Sequence, residues 1–208
     1  MSNTKLFIIG LTGPSGAGKS FVATLLAGYG FPVVDADAVY HELLIPPSPC
    51  LDALVDAFSE QILNPDKTLN RPALSRIVFE DSDAGREKKA LLNQITHRFV
   101  IEETHRRLGT YRANGARCAV IDAPLLLEAN MHRDCNFTIA VLADKEVRLR
   151  RLLARDHATE QAILSRMRAQ PDDEFYRSRV DAVLYNNGDT AAIEADVLAL
   201  CRRMGVLT

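Results

Sequence analysis

Short apolar runs alternate with longer amphipathic stretches along most of this chain. Leu6 to Leu11 is an apolar run short enough for a buried strand. Phe21 to Ala27 suits a helix, with Gly28 and Gly30 as stop signals. Phe31 to Val34 predicts a second strand ending at Asp35, followed by a helix over Ala38 to Leu44. Pro46, Pro47 and Pro49 then break the chain, because proline cannot continue a helix. Residues 51–58 and 73–79 have helical spacing, and Asn64 to Lys67 reads as a loop. Residues 84–112 predict one long helix with Leu91, Leu92, Ile95, Phe99, Val100 and Leu108 apolar. Strand character returns at Cys118 to Asp122, stopped by Pro124, and again at Thr138 to Leu142. A charged helical stretch follows to Arg179, then a last strand over Val180 to Tyr185 and a helix over Ala191 to Arg203. Strands alternating with helices imply βαβ units and a parallel sheet.

Between the first strand and its helix lies Gly13-Pro14-Ser15-Gly16-Ala17-Gly18-Lys19-Ser20, which fits G-x-x-x-x-G-K-[ST]. Glycines let backbone N–H groups approach phosphate oxygens, and the helix that follows turns its positive end toward the same anion. Gly13, Ser15, Gly16, Ala17, Gly18, Lys19 and Ser20 are therefore candidates for holding ATP. Lys19 would bridge the β- and γ-phosphates, and the Ser20 hydroxyl would be a Mg²⁺ ligand.

Other residues narrow the chemistry. Asp35 and Asp37 follow the second strand, where open α/β sheets bind ligands. Asp35 ends the strand directly and is favoured as the chemical one of the two, accepting a proton from an attacking hydroxyl or helping to organise Mg²⁺; the other carboxylate suits a helix cap. Asp122 ends an apolar strand, which fits either a water-mediated contact to Mg²⁺ or a structural role before Pro124. Arg148, Arg151 and Arg155 share one helix face at i, i+3 and i+7, while Arg150 lies off it. At least one of Arg151 and Arg155 is expected to reach phosphate from a closing lid that also excludes water.

Composition changes the picture only by exclusion. The 208 residues are 47% hydrophobic and carry a net charge of −2, so no nucleic-acid footprint is present. The four cysteines are scattered, without metal-ligand spacing, and Cys118 reads as a buried thiol. No apolar run approaches membrane length, so a soluble cytoplasmic protein is expected. There is no N-K-x-D or D-x-x-G, which disfavours a GTPase switch. A small-molecule kinase fits best, and an ATP-dependent regulator is the rival from another class.

The ordered set Gly10 to Ser20, Val34 to Asp37, Leu69 to Leu74, Ile77 to Phe79, Ile95 to His97 and Asp122 to Glu128 resembles the dephospho-coenzyme A kinase family. Arg151 to Arg155, Arg166 to Gln170 and Arg179 to Gly188 resemble its lid and closing strand, so the likeness spans most of the chain. The resemblance implies transfer of the γ-phosphate of ATP to the ribose 3′-hydroxyl of dephospho-CoA. Asp35 is then the base and Arg155, with Arg151, the lid cation. Arg71, Phe79 and His97 become candidate substrate contacts. The implied fold is a three-layer α/β/α P-loop kinase with a five-stranded parallel sheet. Its core would take residues 1–45, 114–144 and 180–208, its helical coenzyme A-binding insertion 46–113, and its lid 145–179. A kinase for another nucleoside-like alcohol is the alternative within enzymes. Monomer is the favoured oligomeric state, with no nucleic-acid or membrane partner. The chain departs from the family pattern at Pro14-Ser15, which replace Gly-Ile, and at Phe21, which replaces threonine. Arg98 stands where the family commonly has proline, and Arg148 where the lid usually has glutamine.

Overall fold

The computed structural model describes residues 5–207. The chain runs β1 (Phe7–Thr12), α1 (Lys19–Gly28), β2 (Val33–Asp35), α2 (Ala36–Glu42), α3 (Pro49–Phe58), α4 (Arg71–Val78) and α5 (Asp83–Ala113). It continues as β3 (Cys118–Asp122), β4 (Phe137–Leu142), α6 (Lys145–Arg155), α7 (Glu160–Arg168), α8 (Asp173–Arg177), β5 (Ala182–Tyr185) and α9 (Thr190–Arg203).

β1 is the central strand of a five-stranded sheet of order β2-β3-β1-β4-β5. Every pairing is parallel. All five residues of β3 are buried, as expected for a strand covered on both faces. Along β4, Ile139 and Val141 pack with Val22 and Leu26 of α1 and with Ile193 and Val197 of α9. Their neighbours Ala140 and Leu142 pack with Tyr176 of α8 instead. Successive strand side chains point to opposite faces, so helices cover both and the fold has three layers. Each fully buried leucine or isoleucine stabilises this core by about 1.5–3 kcal/mol. The α/β fold and parallel five-stranded sheet expected from the sequence are thus present.

The chain divides into two compact units. One runs to Asp35 and resumes at Leu108; the other is Ala36–Arg107. The second unit has its own core, in which Leu44, Cys50, Leu54, Phe58, Ile62, Leu74 and Val78 meet Leu92, Ile95 and Phe99 of α5. Those three α5 residues recur at i, i+3 and i+7, one helix face.

Local signals explain the boundaries. The proline run ends by starting a helix rather than only interrupting one. Pro49 stands in the first turn of α3, and the Ser48 hydroxyl accepts from the Leu51 N–H at 3.2 Å, a combination helices favour at their start. The charged helical stretch after Asp144 is divided into three helices. The Thr159 hydroxyl accepts from Ala162 N at 3.3 Å to open α7. The Asp172 carboxylate accepts from Phe175 N at 2.9 Å to open α8.

Candidate active site

The loop between β1 and α1 is shaped by glycines that no other residue could replace without strain. Gly13 has φ +140°, and a Cβ there would stand 2.2 Å from the Val141 carbonyl oxygen. Gly18 has φ +93°, and a Cβ there would stand 2.1 Å from Asn186 Nδ2. Within the loop, Ala17 N donates to Pro14 O at 3.2 Å. Gly18 is the N-cap of α1, so no side chain caps the helix, and no acidic residue stands in its first turn. The positive end of α1 is thereby left to an anion from outside the helix.

Two carboxylates stand beside that loop. In the β2–β3 ladder Asp35 is the register partner of Asp122, which places their Cα atoms about 4.8 Å apart. Asp122 is in turn the partner of Leu11 on β1. Asp35, Asp122 and the loop thus end three neighbouring parallel strands at the same edge, where such sheets bind ligands. Asp35 is exposed, whereas Asp122 is buried and bonded to the Lys19 ammonium. The Thr12 hydroxyl holds the turn after β3 by donating to Pro124 O at 3.1 Å.

The arginines of α6 separate by role. Arg148 is 5% exposed; its Nε donates to Ser15 O at 2.9 Å and its Nη2 to Gln170 Oε1 at 2.8 Å. Burial lowers its pKa, with Asp173 and Tyr176 acting in the opposite direction. Arg151 donates to the carbonyls of Gly16, Ala17 and Asn186 at 3.3, 3.2 and 2.9 Å. A further bond of 3.0 Å joins it to the Asn186 side chain. Arg155 is exposed and donates to Asp156 at 2.6 Å, and Arg166 bonds the same carboxylate. These hydrogen bonds, Arg155 first, hold the Asp156 carboxyl down to about 2. Arg151 therefore braces the loop from its carbonyl side, and only Arg155 of the pair stands in solvent.

A family profile described as dephospho-CoA kinase matches residues 7–192. The chain belongs to the dephospho-CoA kinase family. The dephospho-CoA kinase of Corynebacterium efficiens is 42% identical over 187 residues, covering 90% of this chain and 92% of that one. A Thermus thermophilus crystal structure, TT1252, superposes with a TM-score of 0.79 at 32% identity over 98% of both chains. The dephospho-CoA kinase from Campylobacter jejuni shares the fold, with a TM-score of 0.67 at 22% identity, covering 95% of this chain and 96% of that one.

Within the helical unit, two of the expected substrate residues stand at the two ends of α4 and the third lies midway along α5. Arg71 opens α4, and its Nη2 lies 3.0 Å from His41 Nδ1. Phe79 closes α4 at 65% exposure, with the Lys89 ammonium 5.3 Å above its ring. His97 is half-buried on α5, and burial lowers its pKa.

Sequence reasoning gave no individual role to Gln170, whose side chain joins Ser15 of the loop to Arg148 of α6, or to Asn186, whose side chain accepts from Arg151 of α6. A lone Gln or Asn carries no pattern of its own. Their roles show only once residues far apart in sequence meet.

No helix among the described residues is long and apolar enough to cross a membrane. A Mg²⁺ ion fits the donor set near the loop, which offers the Ser20 hydroxyl and the Asp122 carboxylate. Among the described residues no group of three or more His, Cys, Asp or Glu could hold a metal alone. That suits an ion carried in by a triphosphate, since Mg²⁺ keeps several waters and takes few protein ligands.

Proposed function

We infer that this kinase binds Mg·ATP in the Gly13–Ser20 loop and phosphorylates the 3′-hydroxyl of the dephospho-CoA ribose, giving CoA and ADP. The observation that carries the roles is the Asp35–Asp122 register pair beside the phosphate loop. Asp35, exposed at its strand end, takes the proton from the attacking hydroxyl as the O–P bond forms. The uncapped start of α1 and the loop amides hold the β- and γ-phosphates, and Lys19 moves from Asp122 to those phosphates. Ser20 and, through water, Asp122 would hold Mg²⁺, which neutralises charge on the phosphates. Arg155 supplies positive charge to the transferred group, and a closing lid limits hydrolysis. Arg71, Phe79 and His97 would serve the acceptor from the helical unit. The planar guanidinium suits a diphosphate, and the exposed ring suits the uncharged arm or the base.

The test is ADP release from Mg·ATP with and without dephospho-CoA, while CoA formation is followed. Acceptor-dependent turnover that yields CoA is the expected result. A folded, ATP-binding protein unstimulated by dephospho-CoA would overturn the acceptor assignment. Stimulation by another nucleoside-like alcohol would then identify a different kinase, and unstimulated hydrolysis a regulator.

A further inference from the structure

The phosphate loop is held at one residue by two side chains that belong to neither β1 nor α1. Ser15 N donates to Gln170 Oε1 at 3.3 Å, and Gln170 Nε2 donates to the Ser15 hydroxyl at 3.0 Å. Arg148 Nε donates to Ser15 O at 2.9 Å, and Arg148 Nη2 donates to Gln170 Oε1 at 2.8 Å. All three polar groups of Ser15 are thus engaged, in a closed ring of hydrogen bonds. The backbone of α6 is equally near, since a Cβ on Gly16 would stand 2.9 Å from the Arg148 carbonyl oxygen.

We propose that Arg148 and Gln170 are positioning residues that fix the shape of the phosphate loop before nucleotide binds. The proposal rests on the reading that this loop holds ATP. Pro14 has no N–H, and the Ser15 N–H is taken by Gln170, so neither of these two residues offers its backbone N–H to phosphate. Gripping falls to Gly16 through Ser20, and Ser15 becomes the anchor that presents them. A loop already in its binding shape loses less conformational freedom on binding, which tightens affinity without any new contact. Arg148 suits this work because its planar fork donates in two directions at once, which lysine cannot do. Its buried guanidinium also donates to two neutral oxygens, so a positive charge stands beside the loop that receives an anion.

Both residues also line a cavity of about 720 Å³ with Lys145, Leu149, Met167 and Asp173. Shortening either side chain therefore enlarges existing space rather than opening a void in a close-packed core, which keeps the expected cost to the fold small.

The experiment measures binding of a non-hydrolysable ATP analogue with Mg²⁺ by calorimetry, without acceptor. It compares the wild type with Arg148→Ala, Gln170→Ala and the double variant. Each single variant is expected to bind about tenfold more weakly. The double should be no weaker than the worse single, because both act on Ser15. Arg148→Gln, which keeps one donor, should fall between wild type and Arg148→Ala. In turnover, the KM for ATP rises while kcat at saturating ATP and the KM for the acceptor stay within about threefold, which separates positioning from general damage. Unchanged affinity in both single variants overturns the proposal, as do multiplied losses in the double or an equal rise in the acceptor KM. If Arg148→Ala does not fold, Gln170→Ala and Arg148→Gln decide the matter alone. Failure of the wild type to bind the analogue sinks the ATP reading itself, and is distinguished in that way.

Discussion

The ammonium of Lys19 is bonded to the carboxylate of Asp122, with only 14% and 6% of the two side chains exposed. The residue assigned to grip phosphate and the residue assigned to organise the metal are thus each other's partner. Removing one member of a buried pair strands the other charge, which costs about 3–5 kcal/mol, and the partial exposure of Lys19 favours the lower end. Asp122→Ala should therefore lower the melting temperature, and saturating Mg·ATP should recover much of the loss by giving Lys19 a new partner. Lys19→Ala should show no such recovery and should lose most turnover. Thermal unfolding with and without Mg·ATP checks both, and equal ligand-induced shifts in the two variants would contradict the exchange of partners.

Asp35 faces a different test, because it is exposed and its proposed role is confined to the acceptor's proton. Asp35→Asn preserves shape and removes the base. Turnover should drop at least about 100-fold while ATP affinity stays within about threefold. A rate within about threefold of wild type would show that another group takes the proton.

Gly18 is where backbone and packing agree most strictly. At φ +93° an L-residue is strained, and a Cβ would stand 2.1 Å from Asn186 Nδ2. Gly18→Ala should destabilise the chain by about 1–3 kcal/mol. It should also weaken ATP binding more than Gly28→Ala, whose Cβ would meet nothing within 4 Å. Denaturant unfolding and nucleotide titration of the two variants side by side read the difference.

The strands and helices were legible because their patterns are local. β3 follows the apolar run Cys118 to Asp122 without an error at either end, and Gly13 to Ser20 announces itself by spacing alone. The placement of Asp35 was legible for the same reason, since it ends an apolar run. Its pairing with Asp122 was not, because strand order depends on which faces bury best together, and β2 and β3 are joined by more than eighty residues. Arg148 and Arg151 share a helix face with Arg155 and look alike in sequence. Burial against the loop separates them, and the acceptors involved are backbone carbonyls, which no residue type advertises.

In the helical unit, Glu103 accepts from Arg106 and Arg107, with bonds of 2.7 and 2.8 Å to each partner's Nε, and Arg107 also bonds Glu42. These bonds, that from Arg106 foremost, hold the Glu103 carboxyl down from the usual 4.5 to about 2. A depressed carboxylate stabilises the fold above its unfolded value and loses that contribution as pH falls through the folded one. Glu103→Gln should therefore melt below the wild type at neutral pH, and the gap should close between pH 4.5 and about 2. A gap that persists undiminished at the acid end would mean that the charge plays no part.

Arg155, exposed at the end of α6, is held by one carboxylate, that of Asp156, which Arg166 shares. Because Asp156 stays ionised down to about 2, acidification across the ordinary assay range does not release Arg155. A phosphate must compete for it directly. The triphosphate carries more negative charge than one carboxylate, so on the proposed role of Arg155 the exchange favours the nucleotide. Arg155→Ala should then lower kcat by about 1,000-fold or more with a small change in the KM for ATP, because the contact strengthens in the transition state. Arg155→Lys should recover little, since a point charge lacks the fork. Asp156→Asn should be milder than Arg155→Ala, as it removes the support and leaves the cation. Should Arg155→Ala keep kcat within about threefold, Arg166, bonded to the same carboxylate, becomes the lid cation to test.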